Sequence, residues 1–160
     1  YARISLLQMG DLIGAEHLIY CDTDSWKVAL PLEDVEIPAH LMGRELGQWA
    51  IENEMDYFHA VKPKQYKAHF ISKEDSATGD LIPCDIWKVR IKGVNVRGVI
   101  QNLWREQYGL GEPTAEFAHQ VLEDLRLGER MVYERLIGIR ESFRRNIEAG
   151  AWLSQAKTMR

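Results

Sequence analysis

Cysteine is scarce in this chain. Cys21 and Cys84 are the only two, too few for a disulfide framework and without metal-site spacing. A reducing, cytoplasmic compartment is the expectation. Long apolar runs are missing as well, so neither a signal peptide nor a membrane span is expected. The five histidines (His17, His40, His59, His69 and His119) show no pairing at metal-ligand spacing. No Ser/His/Asp or Cys/His arrangement stands out, and none of the histidines is assigned a catalytic role. Internal repeats and low-complexity segments are absent. Nor is there a basic excess: 20 Lys and Arg stand against 24 Asp and Glu, a net charge of −4, which taken as an average argues against a nucleic-acid partner.

The average conceals segregation. Residues 33–56 hold seven acids (Glu33, Asp34, Glu36, Glu45, Glu52, Glu54 and Asp56) against Arg44 alone. Residues 61–73 hold Lys62, Lys64, Lys67 and Lys73 with no acid, and residues 87–105 hold Lys88, Arg90, Lys92, Arg97 and Arg105 with none. Such blocks point to two basic strands beside an acidic face. With 160 residues, 46% hydrophobic and 28% charged, the chain suffices for one compact unit with at most a small appendage. Tyr1 opens it inside a helical pattern without an initiating Met, which points to a segment of a longer protein.

Apolar spacing at Ile4, Leu6, Leu7, Met9, Leu12 and Ile13 predicts a helix over 2–13, stopped by Gly14. A strand at 17–21, a turn and a return strand at 25–30 form a β-hairpin. An acidic loop follows from Pro31 to Pro38, then a short helix at 39–46 ended by Gly47. Strands are predicted at 48–54, 56–61, 65–72 and 84–94, with the clearest turn at 72–80 and the last strand weakened by Gly93 and Gly98. Thr114 caps a helix over 115–127, and a second helix over 129–148 carries the stripe Val132, Leu136, Ile139, Phe143 and Ile147. The fold class is α+β.

The hairpin tip is the informative feature. Tyr20-Cys21-Asp22-Thr23-Asp24-Ser25 follows the apolar His17-Leu18-Ile19. In a strand, residues two apart share a face, so Asp22 and Asp24 project together. At roughly 6 Å and an effective dielectric of ~20, their repulsion costs on the order of 2–3 kcal/mol. A cation offsets that cost, and Mg²⁺ (with Mn²⁺ as a possible substitute) is the simplest, because it takes carboxylate oxygens together with phosphate and water.

Asp-x-Asp alone is weak evidence, but in this context it closely resembles motif C of the family B DNA polymerases, the catalytic hairpin of the palm. Four further segments agree. Upstream, Ala2-Arg3 opening an apolar helix is similar to the helix that precedes motif C in this family, a signal of low specificity. Leu46-Gly47-Gln48-Trp49-Ala50-Ile51-Glu52 resembles a strand entry found after motif C in the protein-primed branch, with Gly47 for a tight turn and Trp49 as a core anchor. Lys64-Gln65-Tyr66 is similar to that branch's Lys-x-Tyr motif. On a strand Lys64 and Tyr66 share a face, where an ammonium pairs with phosphate beside a phenol. Lys88-Val89-Arg90-Ile91-Lys92-Gly93 resembles the basic strand leading into the thumb; it equally suits an exposed edge protected by charge.

The resemblance implies an antiparallel palm sheet with a catalytic hairpin and packing helix over 1–105, then a small helical thumb-like region over 106–160. It implies two-metal nucleotidyl transfer from dNTPs to a primer 3′-hydroxyl, with Asp24 and Asp22 as catalytic metal ligands. Primer and DNA contacts fall to Thr23, Ser25, Lys62, Lys64, Tyr66, Arg90 and Lys92. The partners implied are primer–template DNA, dNTP and the remainder of the polymerase (exonuclease, upstream palm and fingers), in cis or as a separate chain. The family's other metal-binding motif, Asp-x-x-Ser-Leu-Tyr-Pro, and its nucleotide-binding Lys-x-x-x-Asn-Ser-x-Tyr-Gly are both missing. The chain alone is therefore expected to be inactive. Two rival readings are a non-catalytic half of a split polymerase and an Asp-x-Asp glycosyltransferase; the latter calls for a parallel βα sheet before the motif.

Overall fold

A computed structural model describes residues 2–128, 132–133 and 136–141. In chain order the elements are α1 (Ala2–Ile13), β1 (Leu18–Asp22), β2 (Ser25–Val28), β3 (Trp49–Lys62), β4 (Gln65–Glu74), β5 (Leu81–Ile91), α2 (Val96–Tyr108), α3 (Ala115–Asp124), β6 (Val132–Tyr133) and β7 (Leu136–Glu141). The strands form one sheet in the order β1-β2-β7-β3-β4-β5, with β6 also on β3. Every strand pair is antiparallel. The fold is α+β.

Two cores hold the sheet. Leu6 and Met9 of α1 pack with Val28, Trp49, Ile137 and Ile139, and the Trp26 indole N–H donates to the Leu6 carbonyl at 2.9 Å. Met55, Phe58, Tyr66, Ala68, Phe70 and Leu136 form the second core. Trp49 is the core anchor that its motif suggests, and Gly47 before it takes φ 86°. The neighbours Leu136 and Ile137 belong to different cores, so β7 is buried on both faces. Each such side chain contributes about 1.5–3 kcal/mol of burial.

That two-sided burial explains the main departure from the sequence-based expectations. The helix predicted over 129–148 is replaced, where residues are described, by β6 and β7. Its apolar residues fit a helical stripe, but Leu136, Ile137 and Ile139 make a short, nearly continuous apolar run that periodicity cannot assign to helix or buried strand. The strand β7 thus comes from the stretch expected to form a helical thumb-like region, and it lies inside the sheet. Phe143, Ile147 and the rest of 142–160 lie outside the described residues.

Smaller departures have local causes. The strands expected at 48–54 and 56–61 are one, β3, because no turn residue separates them; register shifts around Met55 leave Asp56 exposed. The return strand expected to reach 30 ends at Val28. Only Ala39–Leu41 of the short helix expected over 39–46 is helical, as a 3-10 turn. Gly43 has φ 151°, and its N–H donates to the Trp49 carbonyl at 2.8 Å instead of continuing a helix. The strand expected at 84–94 runs from Leu81 to Ile91. Beyond it α2 was not anticipated, although Asn95 caps it by accepting the Gly98 N–H at 3.1 Å. The helix expected over 115–127 ends at Asp124. Among the described residues no helix is long and apolar enough to cross a membrane.

Candidate functional site: a cationic cavity at two hairpin tips

Two tight hairpins meet at their tips. In the first, Asp22 pairs with Ser25 across Thr23-Asp24. The Asp24 N–H donates to the Asp22 carbonyl at 2.6 Å while Thr23 takes φ 55°, a γ-turn of the strained hand. In the second, Lys62 pairs with Gln65 across Pro63-Lys64, and Lys64 takes φ 59°. Thr23 and Lys64 are the only non-glycine residues with positive φ among those described, and such strain clusters at functional sites. The tips are joined: the Lys64 N–H donates to the Tyr20 hydroxyl at 2.8 Å, and the Lys64 ammonium lies 3.8 Å from Asp22 Oδ1.

Around these tips lies a cavity of about 530 Å³. Of the residues singled out from sequence, Asp22, Thr23, Asp24, Ser25, Lys64, Tyr66, Arg90 and Lys92 all line it. They come from three separated stretches. Lys62 is not among the lining residues; it ends β3 exposed to solvent. Two geometric assumptions behind the selection fail. Lys64 sits in the turn and not on a strand beside Tyr66, and Asp24 follows the end of β1, so the same-face rule does not place it beside Asp22. Both still line the cavity.

The two carboxylates differ in surroundings. Asp22 is partly exposed and accepts the Thr23 hydroxyl at 3.1 Å. Asp24 is only 4% exposed, and its Oδ2 receives the Arg140 guanidinium at 3.3–3.4 Å. The same guanidinium reaches Glu52 Oε1 at 3.3 Å. Arg140 thus bridges β3 and the first hairpin from the strand between them. Burial disfavours its charge, but Asp24 and Glu52 outweigh that and raise its pKa.

Lys27, Glu52, Lys88 and Arg140 complete the charged lining, and sequence reasoning assigned none of them to the site. Glu52 closes the Leu-Gly-x-Trp-x-x-Glu segment and Lys88 opens the basic strand segment, so these two had a usable signal. Arg140 was hidden by the helical reading of its segment. The Lys27 ammonium is buried 3.9 Å from Glu52, and burial pushes its pKa down to about 8. Gly138 makes room for it: a Cβ there would lie 2.7 Å from the Lys27 nitrogen and 2.5 Å from the Asn53 side-chain oxygen. Tyr66 packs on Tyr20 and Phe58 at 5.4 Å from each; burial raises its phenol pKa, and Arg90 partly offsets this.

Among the described residues, six cations (Lys27, Lys64, Lys88, Arg90, Lys92 and Arg140) face three carboxylates (Asp22, Asp24 and Glu52) around the cavity. The surplus suits a polyanion. Asp22 and Asp24 are hard oxygen donors of the kind Mg²⁺ takes alongside phosphate and water. Among the described residues no three His, Cys, Asp or Glu side chains are grouped to hold a metal. The donor set therefore fits a cation shared with phosphate oxygens, and falls short of a self-sufficient metal centre. A divalent ion within about 4 Å of the Arg140 guanidinium would be repelled by about 8 kcal/mol at an effective dielectric of ~20.

A second ionic cluster lies on the other face of β4 and β5. His69 stands between Asp56 and Asp85, at 2.6 and 2.7 Å, stacked on Trp87 at 4.5 Å. Burial lowers the imidazole pKa, but the two carboxylates outweigh it and the net shift is upward. His119 and Glu123 of α3 border the cluster, and the Lys67 ammonium, bonded to the Glu123 and Leu125 carbonyls, lies 4.4 Å over the Trp87 ring. This cluster ties α3 to the sheet. Comparison of the chain with protein-family models, with curated proteins and with solved structures finds no match, so the cavity's chemistry is read from its own residues.

Proposed function

We propose that this chain is the C-terminal part of the palm of a family B-like DNA polymerase, binding primer–template DNA and contributing one half of a two-metal nucleotidyl-transfer site. The observation that carries the reading is the convergence of Asp22 and Asp24, Lys64 and Tyr66, and Arg90 and Lys92 on one cavity. Lys64, Arg90 and Lys92 hold backbone phosphates without reading sequence. Tyr66, fixed by its aromatic neighbours, sits beside them to support the primer sugar. Asp22 and Asp24 would hold a divalent ion, which when bound would supply activation of the primer 3′-hydroxyl and charge stabilisation of the departing pyrophosphate. The incoming dNTP and the further metal ligand belong to the remainder of the polymerase, whether in cis or as a separate chain. The antiparallel pairing of the hairpin disfavours a glycosyltransferase, whose Asp-x-Asp would follow a parallel βα unit.

Two outcomes are expected of the purified chain. It binds primer–template DNA with an affinity that falls steeply with salt, as measured by fluorescence anisotropy, and it does not extend the primer. Salt-insensitive or undetectable binding overturns the DNA reading; measurable extension overturns the half-site reading. A non-catalytic half of a split polymerase is the second reading. It is favoured by the Arg140 contact that already neutralises Asp24.

A further inference from the structure

Lys27 and Lys88 are not needed to hold a primer, yet both line the cavity at the hairpin tips. Exposure sorts the cations there: Lys64, Arg90 and Lys92 are exposed, Lys88 is half-buried, and Lys27 is only 7% exposed. Among the described residues the carboxylate nearest the Lys27 ammonium is Glu52, at 3.9 Å, beyond hydrogen-bond reach. The Asn53 side-chain oxygen crowds Gly138 together with that ammonium but takes no hydrogen bond from it. The Lys88 ammonium stands 5.3 Å over the Phe70 ring, with no carboxylate of the described residues at ion-pair distance. Each ammonium has three donors to place. Arg140, by contrast, already answers Asp24 and Glu52.

We propose that Lys27 and Lys88 form the inner wall of a subsite for a terminal phosphate or a diphosphate, which their ammonium groups hold without a divalent ion. A phosphate end offers several oxygens to donors on different strands, and lysine binds it as a point charge. Such an end is compact enough to approach a buried ammonium. A phosphodiester within a strand carries a sugar on each side and stays at the exposed Lys64, Arg90 and Lys92. Electrostatics favour the same ligand. Burial lowers the Lys27 pKa, Lys88 and Arg140 lower it further, and Glu52 and Asp22 act against them. Burial likewise lowers that of Lys88, with Arg90 and Arg140 adding to it and Glu52 opposing. An anion between the two lysines reverses both shifts. The subsite uses residues that the polymerase reading leaves idle, so it stands or falls separately from it.

Sodium pyrophosphate titrated into the purified chain in metal-stripped buffer at pH 7, followed by calorimetry, tests this. Saturable binding is expected, weakened at least tenfold by Lys27→Gln and by Lys88→Gln. Lys73→Gln, exposed on β4 and outside the lining, should stay within threefold of the wild type. No saturable binding, or an equal loss in all three variants, overturns the proposal. Lys88→Gln breaks no ion pair of the described residues, so it decides the matter should Lys27→Gln fail to fold: affinity within threefold of the wild type overturns the subsite. Competition by a short single-stranded oligonucleotide identifies the source of the phosphate. Displacement of pyrophosphate by the 5′-phosphorylated strand but not by its 5′-hydroxyl twin supports a nucleic-acid end, and displacement by neither supports free diphosphate. Equal displacement by both overturns the subsite in favour of backbone phosphates. Pyrophosphate binding without salt-sensitive DNA binding removes the polymerase reading and leaves the subsite in place.

Discussion

The molecule carries two clusters of charge that differ in how tightly they are closed. On the face covered by α3, His69 meets Asp56 and Asp85 at 2.6 and 2.7 Å, and the chain supplies the partners for the imidazolium itself. At the hairpin tips, among the described residues, Lys27, Lys64 and Arg140 stand 3.3–3.9 Å from the carboxylates, six cations line the cavity with three carboxylates, and two turns adopt strained backbone. Short, satisfied pairs fix architecture. Long contacts with a surplus of one sign leave electrostatic work for a ligand to complete. The difference separates a structural cluster from a candidate site more sharply than the residue types do, since both contain paired acids.

Substitutions that break this comparison rank by expected effect. Under the proposed function, Asp24→Asn in the complete protein is expected to reduce synthesis at least a thousandfold while DNA binding changes less than threefold; primer extension and anisotropy on the same samples check both. Lys64→Ala and Tyr66→Phe should weaken use of the primer terminus about ten- to thirtyfold with little change in nucleotide binding. Lys64→Ala should also reduce the log–log salt slope of DNA binding by about one. Neutral behaviour of both variants would remove the hairpin tips from the DNA interface.

Lys27 gives a smaller, pH-dependent effect. Its folded pKa of about 8 lies below the unfolded value near 10.4, so between these values the unfolded chain binds more protons and stability rises with pH. Relative to Lys27→Met, the wild type should gain on the order of 2 kcal/mol from pH 8 to pH 10.5 in urea denaturation. His69 has the opposite sign. Its raised pKa contributes stability that is fully present below pH 6.5 and lost as pH rises through the folded value. His69→Gln should therefore cost more stability at pH 5.5 than at pH 9 in urea denaturation, by a small margin because the two aspartates are exposed. A pH-independent loss would mean that stacking on Trp87, and not charge, is what His69 contributes.

Much of the site was legible in the sequence because its signals are local. The hairpin, the two carboxylates at its tip and the basic strands follow from turn residues and alternation over fewer than ten positions. The convergence of Lys64 and Tyr66 with the hairpin was legible from the family resemblance; their reach into the cavity depends on a positive-φ turn that strand logic does not contain. Arg140 was illegible for a different reason. Leu136, Ile137 and Ile139 satisfy a helical stripe and a doubly buried strand alike, and only the slot between β2 and β3 decides. Lys27 acquires its role beside that same slot, so one misassigned segment hid two charged residues, whereas Glu52 stood in a segment that the sequence already singled out.

The placement of β7 also orders events in time. Ser25 pairs with Arg140, 115 residues later in the chain, and at a synthesis rate of about 5–20 residues per second the hairpin waits about 6–23 s for its neighbouring strand. Until then the edge of β2 is open and Asp24 has no guanidinium beside it. A ribosome releasing this chain therefore releases the strand between β2 and β3 late, and the cavity closes only when local pieces already made are joined by a contact distant in sequence. Slow, non-local closure of this kind makes the edge of β2 the place where a nascent chain is most exposed to pairing with the wrong strand.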